Sequence, residues 1–213
     1  MFYETSRNDH GLAHDPIKSC VVPRPIGWIS TVSLAGVRNL APYSFFNLVA
    51  TNPTFVMYSS CGRSPHGAKD TVTNIEQTGE FVVNMATWAQ REPMLASSAP
   101  LPPDVDEFAH AGLQALPSRL VKPSRVAGAP VHLECVHHQT VVLPASREGD
   151  NIVVFGRVVG VHIDDAIIEG GKLNLAKVAP IARLGYLQYA RVDTIFAMDP
   201  AAVRAPGAAP PRG

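Results

Sequence analysis

Charge is scarce in this 213-residue chain, and it is balanced. Lys and Arg number 18, Asp and Glu number 18, and together they make up 17% of the sequence. A neutral chain of this kind lacks the basic footprint that nucleic acid or an anionic membrane would need. Cysteine is scarcer still. The three, Cys20, Cys61 and Cys135, lie far apart, and no CxxC pair occurs. That argues against a disulfide framework or a structural zinc site and fits a reducing compartment, so a cytoplasmic location is expected. No apolar run reaches bilayer-spanning length. The opening MFYETSRNDHGLAHD lacks the basic start and apolar run of a signal peptide.

Familiar motifs are missing too. No GxGxxG follows a strand-like run, and there is no GxxxxGK(S/T) and no GxSxG. His132-Leu133-Glu134 has the HxE spacing of zinc deaminases, but without PCxxC it reads as an alternating strand. His10 and His14 have helical metal-ligand spacing, yet Gly11 intervenes and no third ligand is placed to help. His137 and His138 point to opposite faces of a strand. No metal is expected.

What is present is enough apolar sequence, 46%, for one sizeable core. We divide the chain into a polar N-terminal arm (1–16), one domain (17–198) and a Pro/Ala/Gly-rich tail (199–213). The tail is expected to be disordered because it has little to bury. Residues 26–32 are rich in β-branched and aromatic side chains and read as a strand. Gly36 marks a hairpin turn. Residues 39–44 return, with Pro42 pointing to an edge, a bulge or a strand end. Residues 45–50 read as a helical turn stopped by Asn52-Pro53, and 54–58 as a third strand. Residues 68–78 form the clearest helix, with Ala68, Val72 and Ile75 on one face and Gly79 just past its end. From residue 116 the chain is β-rich. Gly156 and Gly160 would bend a long apolar strand over 152–163. Many short strands and few helices, without β-α alternation, predict a mainly β fold: a β-barrel with peripheral helices.

Residues 24–70 carry the chemistry. Hydroxyls at Ser30, Thr31, Ser59 and Ser60, with Arg63, lead into Lys69-Asp70-Thr71 at the start of the helix. Arg grips phosphate in a bidentate manner and Lys adds a point charge. Amides at a helix N-terminus favour an anion. A cation beside that terminus opposes the helix dipole, which points to an anion nearby. We therefore expect a phosphorylated cofactor here. Cys61, beside Gly62, is placed to sit at the mouth of the site as a spectator thiol.

The segments RPIGWISTVSLAGVRNLAPYSFFN, KDTVTNIEQTGEFVVNM and PIARLGYLQY resemble the flavin reductase-like family, whose fold is the Greek-key FMN-binding split barrel. The likeness spans roughly residues 17–198. It implies a homodimer that binds FMN, or FAD in its place. It implies NADH or NADPH as electron donor and a monooxygenase or other acceptor as partner. A flavoredoxin-like electron carrier and a non-catalytic flavin binder are the alternatives. By resemblance, Ser30, Thr31, Ser59, Ser60, Arg63, Lys69, Asp70 and Thr71 surround the ribityl-phosphate. Ala41, Pro42, Tyr43, Ser44, Phe45, Phe46 and Asn47 run along the ring system. Arg183 and Tyr189 lie near the flavin or its entry. Where the family often repeats glycine after Leu-Gly, this chain has Tyr186, placed to narrow the cleft or stack on a ligand. Arg183 and Tyr186 are the side chains that could assist chemistry; the flavin itself supplies the rest.

Overall fold

The computed structural model describes residues 1–62, 64–146 and 149–199. Arg63, and the tail from residue 200, lie outside them. A short helix α1 (Ile17–Cys20) leads into β1 (Arg24–Pro25) and β2 (Gly27–Val32). Then come β3 (Arg38–Tyr43), β4 (Phe46–Thr51), β5 (Thr54–Cys61), α2 (Asp70–Thr78) and β6 (Glu80–Met85). The helices α3 (Arg91–Ala96) and α4 (Glu107–His110) and the short pair β7 (Ala115–Leu116) and β8 (Arg125–Val126) form one flank. A long hairpin follows, β9 (Val131–Ser146) and β10 (Gly149–Ile163). The small hairpin β11 (Ile168–Glu169) and β12 (Lys172–Leu173), α5 (Leu175–Val178), β13 (Ile181–Arg183) and β14 (Tyr189–Arg191) complete the described chain.

Seven strands form one antiparallel sheet in the order β3-β2-β6-β9-β10-β5-β4. It curls until Tyr43 on β3 meets Tyr58 on β5, ring centres 4.7 Å apart. The Ser59 amide donates to the Phe45 carbonyl at 2.7 Å, extending the β4–β5 ladder toward the end of β3. Inside lie Ile29, Val56, Tyr58, Ile75, Phe81, Cys135 and Val154. Ile75 projects into this core from α2, and full burial of such a side chain contributes about 1.5–3 kcal/mol. On the other face of β2, Trp28 packs on Met94, Phe108 and Val126, and its indole N–H donates to Ser97 Oγ at 2.9 Å.

The local signals explain most of these elements. Pro42 lies on β3, an end strand of the order, where its missing N–H costs no ladder bond. Gly79 closes α2 at φ +74, and its N–H reaches the Ile75 carbonyl. The ladder is irregular between Phe155 and Gly156 and between Val158 and Gly160, so the long strand bends at both glycines. At Gly156 a Cβ would sit 2.2 Å from Phe81 Cζ, so the core ring requires glycine there.

One expectation is corrected. Residues 45–50 are not helical: Phe46–Thr51 is a strand paired with β5 around the Asn52-Pro53 turn. Short apolar runs are ambiguous by periodicity, and cross-strand pairing decides them. No helix of the described residues is long and apolar enough to cross a membrane.

Candidate functional site

A cleft of about 670 Å³ opens where the N-terminal arm, β1, the end of β3 and β13 converge. Ligand clefts commonly span about 300–1,000 Å³. Among the described residues four cations line it, Lys18, Arg24, Lys69 and Arg183, against one carboxylate, Asp15. None of the four makes an ion pair among the described residues. Pro42, Tyr43 and Phe45 supply an apolar wall.

Arg24 is the keystone, though only 7% exposed. Its guanidinium donates to the Lys18 carbonyl, to Val21 O at 2.8 Å and to Leu184 O at 2.8 Å. It thereby ties α1 to the turn after β13. It also lies over the Phe45 ring, 5.6 Å from its centre. Its Nε has no partner. Burial lowers its pKa, and the neighbouring Arg183 lowers it further. Arg24 and Arg183 stand directly opposite each other in the β1–β13 ladder. Like charges in that relation repel. Arg183 donates to Tyr189 Oη at 2.7 Å and to the Tyr186 carbonyl.

Lys69 occupies the N-cap position of α2, and no side chain caps this helix. Its ammonium donates to the Cys61 carbonyl at 2.6 Å and lies 5.9 Å from the centre of the Tyr43 ring. Burial holds its pKa below the usual lysine value. Lys69 also lines two smaller cavities. One, about 180 Å³, is bounded by Asn39, Ala41, Tyr43, Asp70, Thr71 and Glu107. Burial raises the pKa of both carboxyls in it, Asp70 and Glu107, and pushes the Tyr43 phenol up to about 12. The other, about 250 Å³, has Ser60, Gly62 and Asp150 in its wall. The lysine therefore sits where three hollows meet.

The structure divides the expected site residues. Pro42, Tyr43, Ser44, Phe45, Ser59, Lys69, Arg183 and Tyr186 line the main cleft together with Cys61. Ala41, Asp70 and Thr71 face the 180 Å³ hollow and Ser60 the 250 Å³ one. Ser30 and Thr31 do not reach a cleft; both are fully buried. Ser30 Oγ donates to the Ser124 carbonyl at 2.5 Å. Thr31 Oγ1 donates to Asn39 Oδ1 at 3.1 Å and accepts from Asn74 Nδ2 at 3.0 Å. Thr71 Oγ1 donates to the same Asn39 oxygen, and Asn39 Nδ2 donates to Glu107 Oε1 at 2.9 Å. These hydroxyls bind β2, β3, α2 and α4 together, because β2 has side chains packed on both faces. Phe46 packs into the core, and Asn47 Oδ1 accepts from the Leu48 amide. Tyr189 faces a separate hollow beside Trp88 and touches the cleft only through Arg183. Arg63 lies outside the described residues.

Sequence reasoning missed Arg24, Lys18, His14 and Asp15. Arg24 lies between two prolines, and its burial against α1 has no local signal. The arm read as a lead-in, yet Ala13, His14 and Asp15 form one wall of the cleft.

A curled, mainly β split barrel with a cationic cleft at its closure defines the class, and comparison identifies it further. Residues 19–180 match the flavin reductase-like domain family, and the chain belongs to that family. Its class is thus that of flavin-related oxidoreductases. An uncharacterized protein of Aquifex aeolicus (strain VF5) is 38% identical over 192 residues, 90% of this chain and 95% of the relative. The structure is similar to nitrilotriacetate monooxygenase component B from Bacillus cereus, with TM-score 0.84 and 28% identity over 93% of this chain and 98% of that one. A Shewanella frigidimarina NCIMB 400 protein with a split barrel domain shares the fold, at TM-score 0.79 and 21% identity, covering 93% and 98% of the two chains. His14, Asp15, Lys18, Arg183 and Tyr186 lie outside residues 19–180, the span that the family model matches.

Proposed function

We propose that this protein binds FMN in the main cleft and works as an NAD(P)H-dependent flavin oxidoreductase. The observation that carries the reading is the cluster of four cations without ion pairs, with Arg24 set directly against Arg183. Such a cluster is stable only at a cost, and an anion lowers that cost. The donor set suits a flavin phosphate. Lys69 offers an ammonium, and the uncapped start of α2 offers backbone N–H groups. Ser59 adds a hydroxyl, and Pro42, Tyr43 and Phe45 add flat apolar surface for a ring system.

In this reading Lys69 and the first turn of α2 hold the phosphate. Segment 42–45 orients the ring, and Arg183 places positive charge beside it. A bound flavin would take two electrons and a proton as hydride from a reduced nicotinamide and hand electrons to an acceptor. The similarity to a monooxygenase component B supports a monooxygenase as that acceptor. A homodimer fits the apolar residues left exposed on β4, β9 and β10, including Leu48, Val49, Val142 and Val161. The bent β4 edge strand is another surface a second copy would cover.

The purified chain, mixed with FMN, is expected to give a bound-flavin absorption band that bleaches within seconds under anaerobic NADH or NADPH. A band that persists under both would make the protein an electron carrier. A chain that takes up neither FMN nor FAD would refute flavin binding.

A further inference from the structure

Tyr186 stands in the left-handed region of the backbone, at φ +54. That conformation disfavours any residue with a Cβ, and it persists only where the surroundings enforce it. Here they do. The Tyr186 carbonyl accepts from Arg183, which fixes the turn from inside the cleft. Gly185 is pressed on α1 so closely that a Cβ would fall 1.8 Å from Ser19 Oγ and 3.2 Å from the Ser19 Cα. Arg24 clamps the Leu184 carbonyl from below. The His14 ring meets the Tyr186 ring edge-on, centres 5.7 Å apart and planes at 61°. The Tyr186 residue is held on three sides yet remains 49% exposed, and it lines the cleft. Lys18 lines the same cleft, and its ammonium has no hydrogen-bonded or ionic partner among the described residues. An exposed ring held in place by a strained backbone, beside a free cation, suits a ligand that is flat at one end and anionic at the other.

We propose that Tyr186 is the stacking platform for the reduced nicotinamide donor and that Lys18 binds that donor's phosphate. The inference rests on the flavin reading and extends it: it assigns the donor's subsite to His14, Lys18 on α1 and the 184–186 turn. The ring of Tyr186 offers a π-face, His14 keeps that ring from swinging away, and Lys18 selects donors that carry phosphate.

The test uses the full chain saturated with FMN, as wild type, Tyr186→Phe, Tyr186→Gly and Lys18→Ala. Glycine adopts this backbone without strain, so Tyr186→Gly keeps the turn. Binding without turnover is read by calorimetry with the redox-inert 1,4,5,6-tetrahydro-NADPH. Anaerobic stopped-flow follows flavin bleaching against NADH, NADPH and the phosphate-free 1-benzyl-1,4-dihydronicotinamide. Losing the stacked ring is expected to weaken all of these ligands about tenfold in Tyr186→Gly, with Tyr186→Phe near wild type. Lys18→Ala is expected to weaken only the phosphorylated ligands, by a factor that shrinks as salt is added. Tetrahydro-NADPH binding to Tyr186→Gly as tight as to wild type, or tighter, would overturn the proposal and leave the flavin reading standing. So would a wild type that holds FMN but binds no nicotinamide. A wild type that binds no flavin at all would remove both.

Discussion

Replacing Lys69 with alanine separates a phosphate site from a general flavin site. The ammonium is half-buried, donates to the Cys61 carbonyl at 2.6 Å, and faces the cleft at the uncapped start of α2. A unit charge about 4 Å from a phosphate oxygen interacts by roughly 4 kcal/mol at an effective dielectric of about 20. Measured hydrogen bonds to charged groups retain about 1.5–3 kcal/mol of net value, because water competes. Lys69→Ala should therefore weaken FMN roughly ten- to 150-fold. Riboflavin, which lacks the phosphate, should bind nearly as well as to wild type. Quenching of flavin fluorescence on titration measures both, at low and at raised salt. The FMN-specific loss should shrink with salt. A pH series adds an independent check. Burial lowers the Lys69 pKa, so in the free protein the ammonium loses its proton earlier than an ordinary lysine. Wild-type FMN affinity should accordingly fall as pH rises toward the ordinary lysine value of 10.5, while the variant lacks that component. Equal losses for FMN and riboflavin would show that Lys69 does not touch phosphate.

Glu134 is fully buried on β9, where it accepts from the Arg119 and Leu120 amides at 2.8 and 2.6 Å and from His162. Glu134→Ala strands those groups and should cost about 3–5 kcal/mol in urea unfolding. Burial pushes the Glu134 pKa up, but the two amides and His162 together hold it below the ordinary 4.5. Its contribution is thus present above pH 4.5 and lost as pH falls through the lower folded value, and an acid titration of the variant should lack that slope. Gly185→Ala drives a Cβ into Ser19 and should destabilise by about 1–3 kcal/mol while loosening α1 and the arm before it, seen as faster proteolysis near residue 15. Thiol labelling followed by mass spectrometry should find exposed Cys20 fastest. Cys61, in the cleft wall, should be slower and shielded by FMN, and buried Cys135, its thiol pKa raised by burial, should react only after unfolding. Labelling of Cys61 at the same rate with and without FMN would place the flavin elsewhere.

Much of the fold was legible because its signals are local. The hairpin at Gly36, the helix ending at Gly79 and the bends at Gly156 and Gly160 follow from backbone freedom and periodicity over a few residues. The segment 46–51 was not, since an apolar run of six serves a helix or a strand until β5 pairs with it. Lys69 was legible as a cation at a helix start. Ser30 and Thr31 carry the same hydroxyls as Ser59, yet they lie on a strand covered on both faces, and no nearby residue announces the second cover.

The order of residues alone settled that the chain is mainly β, with three widely spaced cysteines and no nucleotide-binding glycine loop, and it raised residues 24–70 as the stretch expected to meet an anion. Those properties depend on composition and on neighbours a few positions apart. The three-dimensional structure alone decided that Arg24 faces Arg183 and that the arm returns to wall the cleft. It also decided which hydroxyls are available to a ligand. Those outcomes depend on segments more than a hundred residues apart meeting at one barrel edge, and burial there is set by what packs on top rather than by the residue itself.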